Sequence, residues 1–364
     1  MAEETRKRKA DHIKICLEQN AQARKATTGF EHVHLIHKAL PEVDREKLDL
    51  STTFLGHKFN APLIVGAMTG GTQEATKINA AIAEAVEKLG LGMGVGSQRA
   101  AIEDKQLAKT FAIARKKAPN AFLTANVGGI QLVHGYGLRE VKKAIEMIEA
   151  DAIAIHLNAL QEAVQPEGQT NFEGVLAKIT ELAGSLDKPV IVKETGAGIA
   201  AEDAKKLEAA GVKAIDVGGS GGTSFAAVEF YLSEKEENRL QAEAFWDWGI
   251  PTAISLVEAA QSVRIPIIAS GGLRSGTDVA KSLALNSCLC STSQPILEAA
   301  VKGAKETEKT LTCLIAELRN TMFLVGAWKV EDLGKVPVVI TGKTGRWLTS
   351  RGFNIESYAR RGAS

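Results

Sequence analysis

The sequence predicts an α/β fold, a (β/α)8 TIM barrel with N- and C-terminal extensions, on three observations. Eight short apolar runs recur along the chain, each ending in glycine or a polar residue. Most are separated by a stretch with apolar residues at three- and four-residue spacing, the period of an amphipathic helix. The runs do not alternate apolar with polar, which suits parallel strands buried on both faces. Eight strand–helix units in series favour a closed barrel over a doubly wound open sheet, which usually has fewer units.

In chain order the runs are Pro62–Gly66, Leu91–Val95, Ala121–Asn126, Ala152–Leu157, Pro189–Lys193, Val212–Val217, Ile265–Ala269 and Cys288–Ser291. Ile78–Leu89, Leu138–Ile148 and Ala200–Ala210 show the helical period between them. The interval after the sixth run is long. It is glycine-rich from Gly218, then carries a helical stretch at Phe225–Leu232 and a charged segment at Ser233–Glu243, which reads as an active-site loop with a mobile tip. Pro251 opens the sixth helix, since proline is tolerated at a first helical position. Residues 1–60 are expected as an N-terminal extension, 61–304 as the barrel, and 305–364 as a C-terminal helix (Glu306–Phe323) and tail of the same domain.

Composition narrows the function. The chain of 364 residues is 45% hydrophobic and 24% charged, that of a globular protein. A formal net charge of +1 argues against binding nucleic acid through bulk charge, so an anionic ligand needs a local basic cluster. No apolar run reaches the roughly 20 residues of a membrane span, and the charged stretch Met1 to Asn20 does not read as a signal peptide. Cys16, Cys288, Cys290 and Cys313 form no metal motif and no disulfide framework, which suits a reducing, cytoplasmic setting.

In such barrels the chemistry sits at the C-terminal ends of the strands. Glycine-rich segments follow the first run (Ala67-Met68-Thr69-Gly70-Gly71), the sixth (Gly218 to Thr223) and the seventh (Ser270 to Gly276). One such segment reads equally as a tight turn. Three on one rim favour backbone amides approaching a phosphate-bearing cofactor. Lys193 ends the fifth run, where an ammonium needs an anionic partner: a ligand, or a salt bridge to Glu194 or Asp216. His156 and Asn158 share a strand face at the fourth tip, with Gln161 and Glu162 directly after. His156 reads as a site group or a hydrogen-bonded core histidine. Glu162 reads as a Mg2+ ligand beside phosphates or an exposed acid at a helix start. Ser97, Gln98 and Arg99 follow the second run, and Arg8-Lys9 lies in a charged stretch that would by itself pass for solvated surface.

Together these motifs resemble the type 2, FMN-dependent isopentenyl diphosphate isomerases, over residues 6 to 358. The discriminating elements are Arg8-Lys9-x-x-His12, Ser97-Gln98-Arg99 and Gln161-Glu162. The resemblance implies interconversion of isopentenyl and dimethylallyl diphosphate with reduced FMN and Mg2+. NADPH or another reductant would serve only to reduce the flavin. It implies FMN contacts at Ala67, Met68, Thr69, Ser97, Asn126, Lys193 and Thr223, with the phosphate at Gly272, Leu273, Arg274, Ser293 and Gln294. The substrate would meet Arg8, Lys9, Ser97, Gln98, Arg99 and Gln161, with Gln161, Lys193, His156 and Asn158 as catalytic residues and Glu162 on Mg2+. A homotetramer or homo-octamer is also implied.

Two positions depart from the family pattern. Gly218 stands where a serine is usual, removing a hydroxyl. The eighth strand is expected close to Gly-Ala-Asp followed by a glycine near the phosphate, but reads Asn286 to Pro295 with Ser291 at that glycine. The Ser291 side chain either crowds the FMN phosphate or bonds it.

Overall fold

The computed structural model describes residues 2–362, apart from the side chains of residues 2–7, 9 and 10. Twelve strands are present among these residues. Three precede the barrel: β1 (Val33–Leu35), β2 (Thr52–Phe54) and β3 (His57–Phe59). Eight form it: β4 (Leu63–Val65), β5 (Gly92–Gly94), β6 (Phe122–Gly128), β7 (Ala152–Leu157), β8 (Val190–Glu194), β9 (Ala214–Asp216), β10 (Ile267–Ala269) and β11 (Leu289–Thr292). β12 (Val338–Ile340) follows.

β4 to β11 close into a parallel barrel, β11 pairing back onto β4 through Cys290 and Leu63. Each of the eight apolar runs overlaps one barrel strand. The helices behave similarly: Gln73–Leu89, Leu138–Met147 and Ala201–Ala209 lie where the period predicts them. Thr72 caps the first of these by accepting from the Ala75 N–H at 3.0 Å. Pro251 occupies the cap position of helix Thr252–Ala260 rather than its first turn. The charged segment expected as a loop tip is instead helical over Glu236–Ala244, with Glu243 paired to Arg24 at 2.9 Å.

The lower end of the barrel is plugged. The β2–β3 hairpin inserts Phe54 and Phe59 among Ile64, Phe122, Ile191, Ile268 and Leu289, the lumen-facing residues of the strands. Phe54, Phe59 and Phe122 meet edge-on or tilted, with ring centroids 5.6–6.4 Å apart. Gly92 makes room for this, since a Cβ there would lie 2.9 Å from the Phe59 ring. With that end filled, the opposite end is left for the site.

Both extensions are tied to the barrel. β1 pairs antiparallel with β12, so residues 33–35 meet residues 338–340. The C-terminal helix Ala304–Val325 packs on helices Gln73–Leu89 and Gly276–Ala284. The N-terminal helix Ala2–Glu18 lies over the barrel mouth, where Ile15 and, just past the helix, Ala21 pack against Val228 and Trp246. Asp247 pins the chain that follows by accepting from the Arg24, Lys25 and Ala26 N–H groups at 2.8–3.0 Å.

Candidate active site

A cavity of about 610 Å³ opens at the C-terminal ends of the barrel strands, within the size range of small-molecule sites. Its floor and walls come from successive strand tips: Ala67, Met68 and Thr69 after β4, Ser97 and Arg99 after β5, Asn126 on β6, and His156, Gln161 and Glu162 at β7. Lys193, Thr223, then Gly272, Leu273 and Arg274, then Ser293 and Gln294 complete the ring. Arg8 and His12 reach it from the N-terminal helix.

The pairing register sets three of these side by side. His156 on β7 is opposite Lys193 on β8, and Lys193 is opposite Asp216 on β9. The Lys193 ammonium donates to the main-chain oxygen of Glu194 at 2.9 Å rather than to either neighbouring carboxylate. Those carboxylates are engaged elsewhere. Glu194 accepts from the N–H groups of Thr195, Gly196 and Ala197. Burial nevertheless pushes its carboxyl up to about 7, against the pull of those amides and Lys193. Asp216 accepts from the Ser270 hydroxyl, which in turn accepts from the Gly218 N–H at 2.9 Å. Burial raises the Asp216 carboxyl too, opposed chiefly by Lys193.

Asn126 orients His156. The Asn126 amide group donates to the Val95 carbonyl at 3.1 Å, so its oxygen faces His156 Nδ1 at 2.8 Å and Nδ1 carries the proton. Asn158, the residue before helix Ala159–Val164, donates to Glu162 Oε1 at 2.9 Å. The other Glu162 oxygen accepts from the Gln169 N–H at 2.7 Å. Glu162 is thus buried and oriented, not the exposed acid its place at a helix start allows.

Some expected residues lie elsewhere. Gln98 does not line the cavity. It is fully buried, donating to the Ala144 carbonyl at 2.8 Å and accepting from the Asn126 N–H at 2.9 Å, so both ends of its amide brace strands and helix. Asn158 also lies behind the lining, acting on it through Glu162. The Lys9 side chain lies outside the described residues. Arg99 reaches the rim with its guanidinium on Glu103 at 2.9 Å.

One acid escapes a reading by motif. Glu229 sits in the apolar helix Phe225–Leu232, fully buried. One oxygen accepts from both Arg8 and, at 3.0 Å, Gln161; the other has no partner among the described residues. Burial raises its carboxyl, Arg8 opposes this most strongly, and the nearby charge of Glu162 adds to the rise. A lone carboxylate in an otherwise apolar helix is the signal in the sequence, because such a group is buried only with a partner.

Of the two departures from the family pattern, Gly218 has a structural reason. Its φ is +47°, and a Cβ would lie 2.2 Å from the Glu194 carbonyl oxygen. Asn286 takes a φ of +74°, in the left-handed region.

A phosphate-bearing cofactor fits the far side of the ring. The N–H groups of Gly272, Leu273, Ser293 and Gln294 donate to nothing among the described residues. Their residues line the cavity from the loops after β10 and β11, with Ser293 and Gln294 at the start of helix Gln294–Lys302. Loops after the seventh and eighth strands with a helix N-terminus make a common phosphate site in barrels. For a metal, among the described residues no three His, Cys, Asp or Glu are grouped. A single carboxylate fits Mg2+ only where substrate phosphates complete the shell.

Comparison with known proteins gives the family. The model of the FMN-dependent dehydrogenases matches residues 1–122 and 134–339. An isopentenyl-diphosphate delta-isomerase of Methanosarcina barkeri is 49% identical over the whole of both chains. Those of Pyrococcus furiosus and Archaeoglobus fulgidus are each 50% identical, covering 94% and 96% of this chain and 89% and 99% of theirs. Among solved structures, a mandelate oxidase variant superposes with a TM-score of 0.61 at 18% identity, covering 93% of this chain and 99% of the other. A flavocytochrome b2 variant gives 0.62 at 18%, covering 88% and 81%. These two share the fold. The chain belongs to the FMN-dependent dehydrogenase family and, within it, to the type 2 isopentenyl-diphosphate delta-isomerases.

Proposed function

We propose that the protein interconverts isopentenyl diphosphate and dimethylallyl diphosphate by a 1,3-allylic proton shift that requires reduced FMN and Mg2+. The observation that carries this reading is the single cavity with two anion-receptive walls. The unclaimed amides after β10 and β11 form one, and Arg8, Arg99 and Gln161 form the other.

Ala67, Met68, Thr69, Ser97, Asn126, Lys193 and Thr223 would hold the flavin and ribityl chain, and Gly272, Leu273, Arg274, Ser293 and Gln294 its phosphate. Reduced FMN would supply acid–base chemistry at the ring, with NADPH or another reductant serving only to reduce it. Lys193 provides the positive charge to balance an anionic ligand, and Asn126 sets the proton on His156 Nδ1. Arg8, Lys9 and Arg99 would grip the diphosphate, and Glu162, held by Asn158, would take Mg2+ with it. That grip positions the hydrocarbon end, so binding energy far from the reacting carbons is used to orient them. Gln161 orients the substrate. A cation-like hydrocarbon must be kept from water, and Ile13, Cys16, Met68 and Val228 line the cavity where the N-terminal helix covers it. Among the described residues no helix is long and apolar enough to cross a membrane. All four cysteines are unpaired, in keeping with a cytoplasmic setting. A homotetramer or homo-octamer completes the reading.

The test is an anaerobic assay with FMN, Mg2+ and dithionite, following isopentenyl diphosphate by NMR in D2O. Deuterium incorporation with formation of dimethylallyl diphosphate is expected. Net oxidation of a 2-hydroxy acid instead would overturn the assignment.

A further inference from the structure

We propose that Ser291 and Ser293 form a hydroxyl pair that donates to the phosphate of the bound flavin. This rests on the FMN reading above and concerns the departure from glycine at position 291.

Residues two apart on a strand share a face. Leu289 lies in the lumen cluster, so Ser291 and Ser293 follow it on the inner side, whereas Thr292 faces away and donates to the Leu273 carbonyl at 3.0 Å. Ser291 is only 5% exposed, yet it lines the cavity. The neighbouring strand makes space for the pair. Gly66 follows β4, and a Cβ there would lie 2.3 Å from the Ser293 Oγ and 2.8 Å from the Ser291 Oγ. Both hydroxyls therefore converge on the volume that the missing side chain vacates. Neither has a hydrogen-bond partner among the described residues.

A hydroxyl that opens onto the cavity with no protein partner is an available donor, and a phosphate there would accept from both. The Arg274 guanidinium is engaged by the side-chain oxygens of Gln294 and Gln22. The donors facing a phosphate are then the amides of Gly272, Leu273, Ser293 and Gln294. Two hydroxyls extend that set where a glycine would add none. On this geometry the serine bonds the phosphate instead of crowding it.

The test is to titrate flavin-free protein with FMN and, separately, with riboflavin, which lacks the phosphate, following quenching of flavin fluorescence. Ser291→Ala and Ser293→Ala should each weaken FMN binding about tenfold and leave riboflavin binding unchanged. Ser291→Ala or Ser291→Gly protein that binds FMN as tightly as the parent, or more tightly, would overturn the proposal and show crowding. A variant that no longer binds riboflavin has lost its fold, and Ser291→Cys, of similar volume but a poor donor, replaces it with the same expectation. Failure of the parent protein to prefer FMN over riboflavin would overturn the FMN reading itself.

Discussion

The guanidinium of Arg8 lies against the buried carboxylate of Glu229, 221 residues further along the chain. This pair ties the N-terminal helix to the helix behind Gln161, and so joins the lid over the cavity to the wall beneath it.

Arg8→Ala should expose the cost of burying Glu229. Without Arg8 the folded-state carboxyl rises further above its ordinary value. A folded state that holds the proton more tightly than the unfolded state loses stability as pH rises above the carboxylate range. The variant is expected to lose about 1–3 kcal/mol at pH 8 and clearly less at pH 5. Urea unfolding at the two pH values checks this, and an equal loss at both would count against the pairing.

Glu194 gives a second pH signature. Its folded carboxyl is raised from 4.5 to about 7. Its contribution therefore becomes less favourable as pH climbs through that interval, by about 1.4 kcal/mol for each pH unit. Glu194→Gln should flatten the stability–pH curve across that window. A variant curve parallel to the parent's would rule this out.

Lys193→Ala should lower isomerase turnover by about 100-fold or more, because no other cation lies at that point of the register. The measurement is the NMR assay with FMN loading confirmed by absorbance. Near-parental turnover would remove the assigned role.

Glu162→Gln should raise the half-saturating Mg2+ concentration about tenfold while keeping the bond from the Gln169 N–H. A magnesium titration at fixed substrate reads this directly, and an unchanged midpoint would take Glu162 out of the metal site.

Phe59→Ala tests the barrel plug away from the chemistry. Removing a fully buried ring from the Phe54–Phe122 cluster is expected to cost about 3–5 kcal/mol. Scanning calorimetry should show a lower Tm with FMN affinity little changed.

Several features of the fold were legible from local pattern. Strand positions follow from continuous apolar runs such as Ala152–Leu157, because a strand covered on both faces has no polar side to display. The rim follows from polar and glycine residues at the ends of those runs, because parallel barrels place their chemistry at the strand tips. Other features were decided only by packing. Gln98 carries the same motif signal as Ser97 and Arg99, yet its side chain turns inward to the Ala144 carbonyl. Glu229 has no motif at all and enters the site through Arg8 and Gln161, partners far away in sequence. The charged stretch at Glu236–Ala244 looks like a loop by composition but forms a helix, whose Glu243 meets Arg24. Local periodicity depends on neighbours along one element, so it can be read from the chain alone. The direction of a side chain at a strand tip, and the partner that stabilises a buried charge, depend on which distant segments are brought together, and only tertiary structure sets that.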